Sequence, residues 1–187
     1  MKNIIDSITK SADEFIAIRR QLHQHPEIGF EEQSTSDFIA QYLEKLGYSI
    51  HRGMATTGVV ATLQQGDGPQ RLGIRADIDA LPIHEKSGKT WSSHNEGKFH
   101  GCGHDGHTAT LLCAANYLAE TRPLNGPLHL IFQPAEELLY GGKVTLDDGL
   151  FENFPCDSLL ALHTMPRMHT GEVSIRQGAR PASPDTL

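Results

Sequence analysis

Leu128-His-Leu-Ile-Phe-Gln-Pro-Ala-Glu-Glu137 holds the pattern on which the fold turns. Leu128–Phe132 is an apolar run too short for a helix, and it reads as a buried strand. Gln133-Pro-Ala-Glu-Glu137 follows directly, so that two adjacent carboxylates land at a sheet end. Upstream lies a small-residue helix from about Gly106 to Ala119. Before it, strand-like runs at Ser49–His51, Gly58–Leu63 and Arg71–Ala76 are punctuated by the turn cluster Gln65-Gly-Asp-Gly-Pro-Gln70. The last of these runs closes on Asp77 and Asp79. Strands alternating with helices indicate an α/β layered domain with a largely parallel or mixed sheet.

Further out, apolar residues at helical spacing (Ile8, Phe15, Ile18, Leu22) predict one helix from about Ile4 to Leu22, stopped by Pro26. A second helix is expected from Ser34 or Ser36 to Gly47, with a polar start and a glycine stop around one apolar stripe. Downstream, Gly141 to Leu150 reads as a helix, and Ser158–Leu162 and Glu172–Ile175 read as strands. The tail Gln177–Leu187, with two prolines and no period, looks like a linker or a cut end. No internal repeat or low-complexity tract interrupts this order.

The bulk properties narrow the function classes. With 187 residues and 38% hydrophobic content, the chain can bury a core without disulfide staples. Sixteen basic against twenty-three acidic residues give a net charge of −7, with no Lys/Arg cluster to follow a phosphate backbone, so nucleic acid is not an expected partner. No apolar run suits a signal peptide or a transmembrane span, so no membrane partner is expected. Three cysteines, Cys102, Cys113 and Cys156, form no paired spacing. A reducing compartment fits, and a cytoplasmic protein is expected.

The residues suited to chemistry sit at the predicted strand ends. In His100-Gly-Cys-Gly-His-Asp-Gly-His107, a thiol, three imidazoles and a carboxylate lie among glycines. Cys102 and His104 are two apart and project to one side of an extended segment, a donor pair that suits zinc or a similar ion. A glycine-rich loop with solvated histidines is the alternative. In Glu136-Glu137, adjacent side chains point apart, so one can bind metal while the other serves as a general acid/base; a solvated acidic pair opening a helix explains the same residues. His163 closes the run Leu159–Leu162; alone it reads as a satisfied surface or core histidine, and combined with Cys102, His104 and Glu137 it supplies a fourth ligand of the right type. Asp77 and Asp79 suit either partners that orient a metal-bound histidine or a loop cap. His23 and His25 read first as helix-end residues.

Together, Leu22-His-Gln-His-Pro-Glu27, Arg75-Ala-Asp-Ile-Asp-Ala-Leu-Pro82, Gly101-Cys-Gly-His-Asp-Gly-His107, Gln133-Pro-Ala-Glu-Glu137 and His163-Thr-Met-Pro166 resemble the hippurate hydrolase/aminoacylase branch of the dinuclear metallopeptidase superfamily. That branch includes hydrolases of indole-acetyl amino acids and N-acetyl-diaminopimelate deacetylases. The resemblance implies a three-layer α/β sandwich with a mixed central sheet, zinc-peptidase-like, interrupted by a smaller lid or dimerisation domain. It implies Cys102, His104, Glu137 and His163 as ligands of two divalent ions (zinc or manganese, with cobalt also accepted) and Glu136 as general base. The implied reaction is hydrolysis of the amide bond of a small N-acyl amino acid. Members of the branch are about twice as long as this chain. Residues 1–176 are therefore expected to form the N-terminal part of the catalytic domain, and 177–187 the start of the connection to a lid through which the full-length protein would form a homo-oligomer. Two other readings remain: a catalytically inactive metal-binding fragment of such an enzyme, and a structural zinc domain. The spread of the candidate ligands from Cys102 to His163 argues against the second.

Overall fold

A computed structural model describes residues 4–165, 168–175 and 177. Two short N-terminal helices, α1 (Ile4–Thr9) and α2 (Ala12–Gln24), precede α3 (Gln33–Lys45) and the strands β1 (Ser49–Met54), β2 (Gly58–Gln65) and β3 (Leu72–Asp77). The long helix α4 (His104–Thr121) leads into β4 (Gly126–Gln133), followed by α5 (Gly141–Asp147), α6 (Leu150–Asn153) and β5 (Ser158–Ala161). The five strands form one mixed sheet in the order β1-β2-β4-β3-β5. β2 runs antiparallel to both β1 and β4, whereas β3 runs parallel to β4 and β5.

Alternation along the central strands explains the layering, because successive side chains leave a strand on opposite faces. Val59, Ala61 and Leu63 of β2, with Leu128, Leu130 and Phe132 of β4, meet Phe15, Ile39, Leu43, Leu112 and Ala115 of α2, α3 and α4. The intervening Val60 and Ile131 face the other way and pack with Met54 and Leu150, with Phe154 against them. Both faces are therefore covered, giving the three-layer α/β arrangement that the resemblance implies.

Register then sets the position of the site. Asp77 is opposite Gln133, and Arg75 is opposite Ala161, so the carboxyl ends of β3, β4 and β5 lie along the same edge. Asp77 and Asp79, Glu136 and Glu137, and His163 emerge there side by side, as open α/β sheets gather functional groups.

Three local expectations need correction. The helix expected over 4–22 is broken at Lys10-Ser11, where the Ser11 hydroxyl and amide both turn back to the Ile8 carbonyl; a side chain competing for backbone acceptors does this. The helix expected over 141–150 divides because Gly149 takes a left-handed φ of 82° and caps a new, shorter helix. Residues 172–175 are not a strand: Val173 and Ile175 are 74% and 93% exposed, so no neighbouring strand supports them. The tail over 178–187 and Pro166 lie outside the described residues. Among the described residues, no helix is long and apolar enough to cross a membrane.

Candidate metal centre

Helix α4 begins at His104, so its first turn carries the Cys/His loop directly onto the sheet edge. Gly103 enters that helix with φ 89°, and a Cβ there would come 2.9 Å from the Thr164 hydroxyl oxygen. A glycine is thus what lets the loop close against the end of β5. Thr164 fastens the approach by donating its hydroxyl to the Cys102 carbonyl at 2.8 Å.

The result is a cluster whose ligand atoms face one another. One potential ligand atom each from Cys102, His104 and Glu137 lie within 4.8 Å of one another, as do atoms from Asp77, His104, His107 and His163. His104 belongs to both groups, and the Cys102 sulfur is 3.6 Å from His163 Nε2. His104 Nε2 is 3.8 Å from Glu136 Oε2 and 3.8 Å from Glu137 Oε1. Those gaps are too long for hydrogen bonds, but they suit atoms that each approach a shared ion at about 2.0–2.3 Å. His104 Nε2 and Glu137 Oε1 are buried and lack hydrogen-bond partners. A buried polar atom without a partner is costly, and a divalent cation between these two would satisfy both. The donor set fits such an ion.

Carboxylates hold the histidines in orientation. His104 Nδ1 meets Asp79 Oδ1 at 3.3 Å, leaving Nε2 aimed into the cluster. His107 Nδ1 meets Asp77 Oδ1 at 2.6 Å, and its Nε2 accepts the Thr164 amide at 2.9 Å. Arg75 donates to the other Asp77 oxygen at 2.7 Å. Asp77 and Asp79 thus act as partners of histidines, one of the two alternatives that the sequence left open.

Electrostatics at the site favour a cation. Burial penalises the Asp77 charge, but the His107 hydrogen bond and the charges of His104 and Arg75 hold its carboxyl well below the usual range. Burial lowers His104, yet the Asp79 hydrogen bond and the surrounding Asp77, Asp79 and Glu137 charges outweigh it and raise its pKa. Burial, reinforced by the Glu137, Glu136 and Asp77 carboxylates, pushes the Cys102 thiol up to about 12. A bound divalent cation reverses that field and favours the thiolate.

The other sequence candidates fall out differently. His25 is exposed at the end of α2, as expected of a helix-end residue. His23 also lies in the last turn of α2, but it is buried, with Nδ1 2.9 Å from Asp105 Oδ2 and Nε2 3.3 Å from Glu85 Oε1, tying α2 to the start of α4. His107, which carried no assigned role, lies between Asp77 and Thr164. Thr164 enters the sequence reading only within the motif His163-Thr-Met-Pro166, with no role of its own, and Glu32 does not enter it, since a lone threonine or glutamate carries no periodic or compositional signal.

Residues 73–179 match the peptidase family M20/M25/M40. The chain is 44% identical over 184 residues to a hippurate hydrolase of Campylobacter jejuni, covering 98% of this chain and 48% of the relative. It is 41% identical over 174 residues to an N-acetyl-L-cysteine deacetylase of Bacillus subtilis, covering 92% and 41% of the two chains. A crystal structure of the Bacillus subtilis protein YXEP, a dinuclear metal binding peptidase from the M20 family, superimposes with a TM-score of 0.83 at 36% identity, covering 89% of this chain and 47% of that one. The chain therefore spans about half the length of the relatives it matches.

Proposed function

We propose, for a chain that belongs to peptidase family M20/M25/M40, that the protein of which it forms part hydrolyses the amide bond of N-acyl amino acids, hippurate-like substrates, to a carboxylic acid and an amino acid. The observation that carries this reading is the pair of buried, unpartnered atoms His104 Nε2 and Glu137 Oε1, facing each other beside the Glu136 carboxylate. The relatives named hippurate hydrolase and N-acetyl-L-cysteine deacetylase supply the substrate class, since both names describe removal of an acyl group from an amino acid nitrogen.

In this reading Cys102, His104, Glu137 and His163 hold two divalent ions, zinc or manganese, with cobalt also accepted. When bound, such ions polarise an amide carbonyl and lower the pKa of water. Glu136 moves the proton. Its side chain is 36% exposed, open enough for substrate to reach, while the neighbouring Glu137 is turned toward the buried side at 19%. Glu136 takes a proton from the attacking water and returns it to the amine nitrogen as the amide C–N bond breaks, acting first as base and then as acid. Asp79 and Asp77 keep His104 and His107 in fixed tautomers throughout.

Residues 1–176 form the N-terminal part of the catalytic domain in this proposal, and the full-length protein forms a homo-oligomer through a lid domain beyond residue 187. In the full-length protein, Glu136→Gln retains metal and loses about 10²–10⁴-fold in turnover on a panel of N-acyl amino acids. Unchanged turnover removes Glu136 from its role. A second reading, a metal-binding fragment without activity, is favoured by the half-length coverage. It predicts that the 187-residue chain binds manganese or zinc yet hydrolyses none of the panel.

A further inference from the structure

We propose that Glu32, a residue outside the metal cluster, is a positioning residue that fixes the loop 134–137, and with it Glu136 and Glu137, through the amide of Ala135. The inference rests on the roles given above to those two carboxylates.

Glu32 stands at the N-cap position of α3, where a side chain ordinarily accepts from the first helical amides. It makes no such bond. Glu27 performs that task, accepting from the Ser34 amide at 3.1 Å, the Thr35 amide at 2.8 Å and the Thr35 hydroxyl at 2.9 Å. Glu32 is fully buried at 0% exposure, and its oxygens are committed elsewhere. Oε1 accepts the Ala135 amide at 2.9 Å, and Oε2 accepts the Thr57 hydroxyl at 2.6 Å. Burying a carboxylate is expensive, and one of its few contacts here goes to a loop amide 103 residues away.

That loop needs holding. Ala135 has φ 53°, a left-handed conformation that a residue with a Cβ adopts reluctantly. Asp79 Oδ2 accepts the Glu137 amide at 2.9 Å. The amides on either side of Glu136 therefore both end on buried carboxylates, Glu32 before it and Asp79 after it. The Gly141 amide closes the loop on the Ala135 carbonyl at 3.2 Å, and a Cβ at Gly141 would come 2.1 Å from the Pro134 carbonyl oxygen, so the return of the chain presses on the same backbone. Adjacent side chains diverge only as reliably as the peptide planes between them are fixed. Asp79 also orients His104, so Glu32 and Asp79 together tie the acid/base residue and the ligands to one frame.

Amide hydrogen exchange in this chain tests the proposal, with the β4 amides of Leu130 and Phe132 as the reference for general destabilisation. Glu32→Ala is expected to speed exchange at Ala135 and Glu137 by about tenfold or more beyond any change at β4. Glu32→Gln, which keeps an oxygen for the Ala135 amide, restores protection to within a few-fold. Thr57→Val, which releases only Oε2, gives a smaller effect at the same two amides and serves if Glu32→Ala does not fold. Uniform acceleration across loop and β4, or unchanged loop amides in the variants, overturns the anchor. Cobalt(II) titration of the same samples adds the functional readout: affinity falls about tenfold in Glu32→Ala and recovers in Glu32→Gln. A loosened loop with unaltered cobalt affinity overturns the positioning role. Absence of cobalt binding by the unsubstituted chain sinks the metal reading of the site instead, and the exchange comparison still judges the anchor.

Discussion

His104 shows how much of the site is decided by single atoms. Its Nδ1 is taken up by Asp79 and its Nε2 has no partner, although the residue is wholly buried. An imidazole in that state is poised to donate a lone pair, and the carboxylate behind it sets which nitrogen does so. Asp79→Asn is accordingly expected to weaken zinc binding about 10–100-fold with secondary structure retained, measured by competition with a chromophoric chelator; zinc affinity equal to that of the unsubstituted chain would remove the orienting role. At this scale the sequence was informative only where residue type itself is unusual. Cys102 and His104 stand out among glycines, and Glu136-Glu137 behind a proline, so they are visible without coordinates. Glu32 and Thr164 act on residues 103 and 62 positions away in the chain, and nothing in the residues next to them in sequence marks those contacts.

At the level of elements, the parallel strands β3, β4 and β5 do most of the assembly, and the apolar run of β4 was legible because a strand buried on both faces leaves a continuous signature. The ends of helices were less so. The break at Ser11 depends on a side chain choosing the Ile8 carbonyl, and the break at Gly149 on one dihedral angle; neither changes the apolar period on which the longer helices were predicted. One strand residue also carries a pH dependence. His129 of β4 is buried, 2.9 Å from the Thr62 hydroxyl and against the Phe154 ring, and burial lowers its pKa, helped by the charge of Arg71. The unfolded chain then binds this proton more readily than the folded one, so ν_U exceeds ν_N and stability rises with pH. The contribution of His129 is fully present above about pH 6.5 and is lost as pH falls from there through the lowered folded value. Urea midpoints measured from pH 7.5 to 5 are expected to fall less steeply in His129→Gln than in the unsubstituted chain; parallel slopes would contradict this.

Across the whole molecule, the sheet ends in two edge strands, and the apolar one is β5. Among the described residues β1 pairs with β2 alone and β5 with β3 alone, and Leu159 and Leu160 of β5 are exposed by 48% and 56%, with Leu162 exposed by 54% just beyond it. An exposed apolar edge strand is a template for pairing with another chain. The 187-residue chain is therefore expected to self-associate with concentration in sedimentation velocity, and Leu160→Lys to shift it toward monomer; a chain monomeric at all concentrations would contradict that expectation. The mixed sheet and its layers were readable from the order of elements. The convergence of the site was readable only as a consequence of that order, since strand register rather than sequence proximity brings residue 163 to residue 102. Anomalous diffraction from crystals of the chain grown with zinc tests that convergence most directly. The account predicts anomalous density within about 2.0–2.3 Å of the Cys102 sulfur, His104 Nε2 and the Glu137 and His163 side chains; zinc bound only elsewhere, or density that leaves His104 Nε2 untouched, would contradict it.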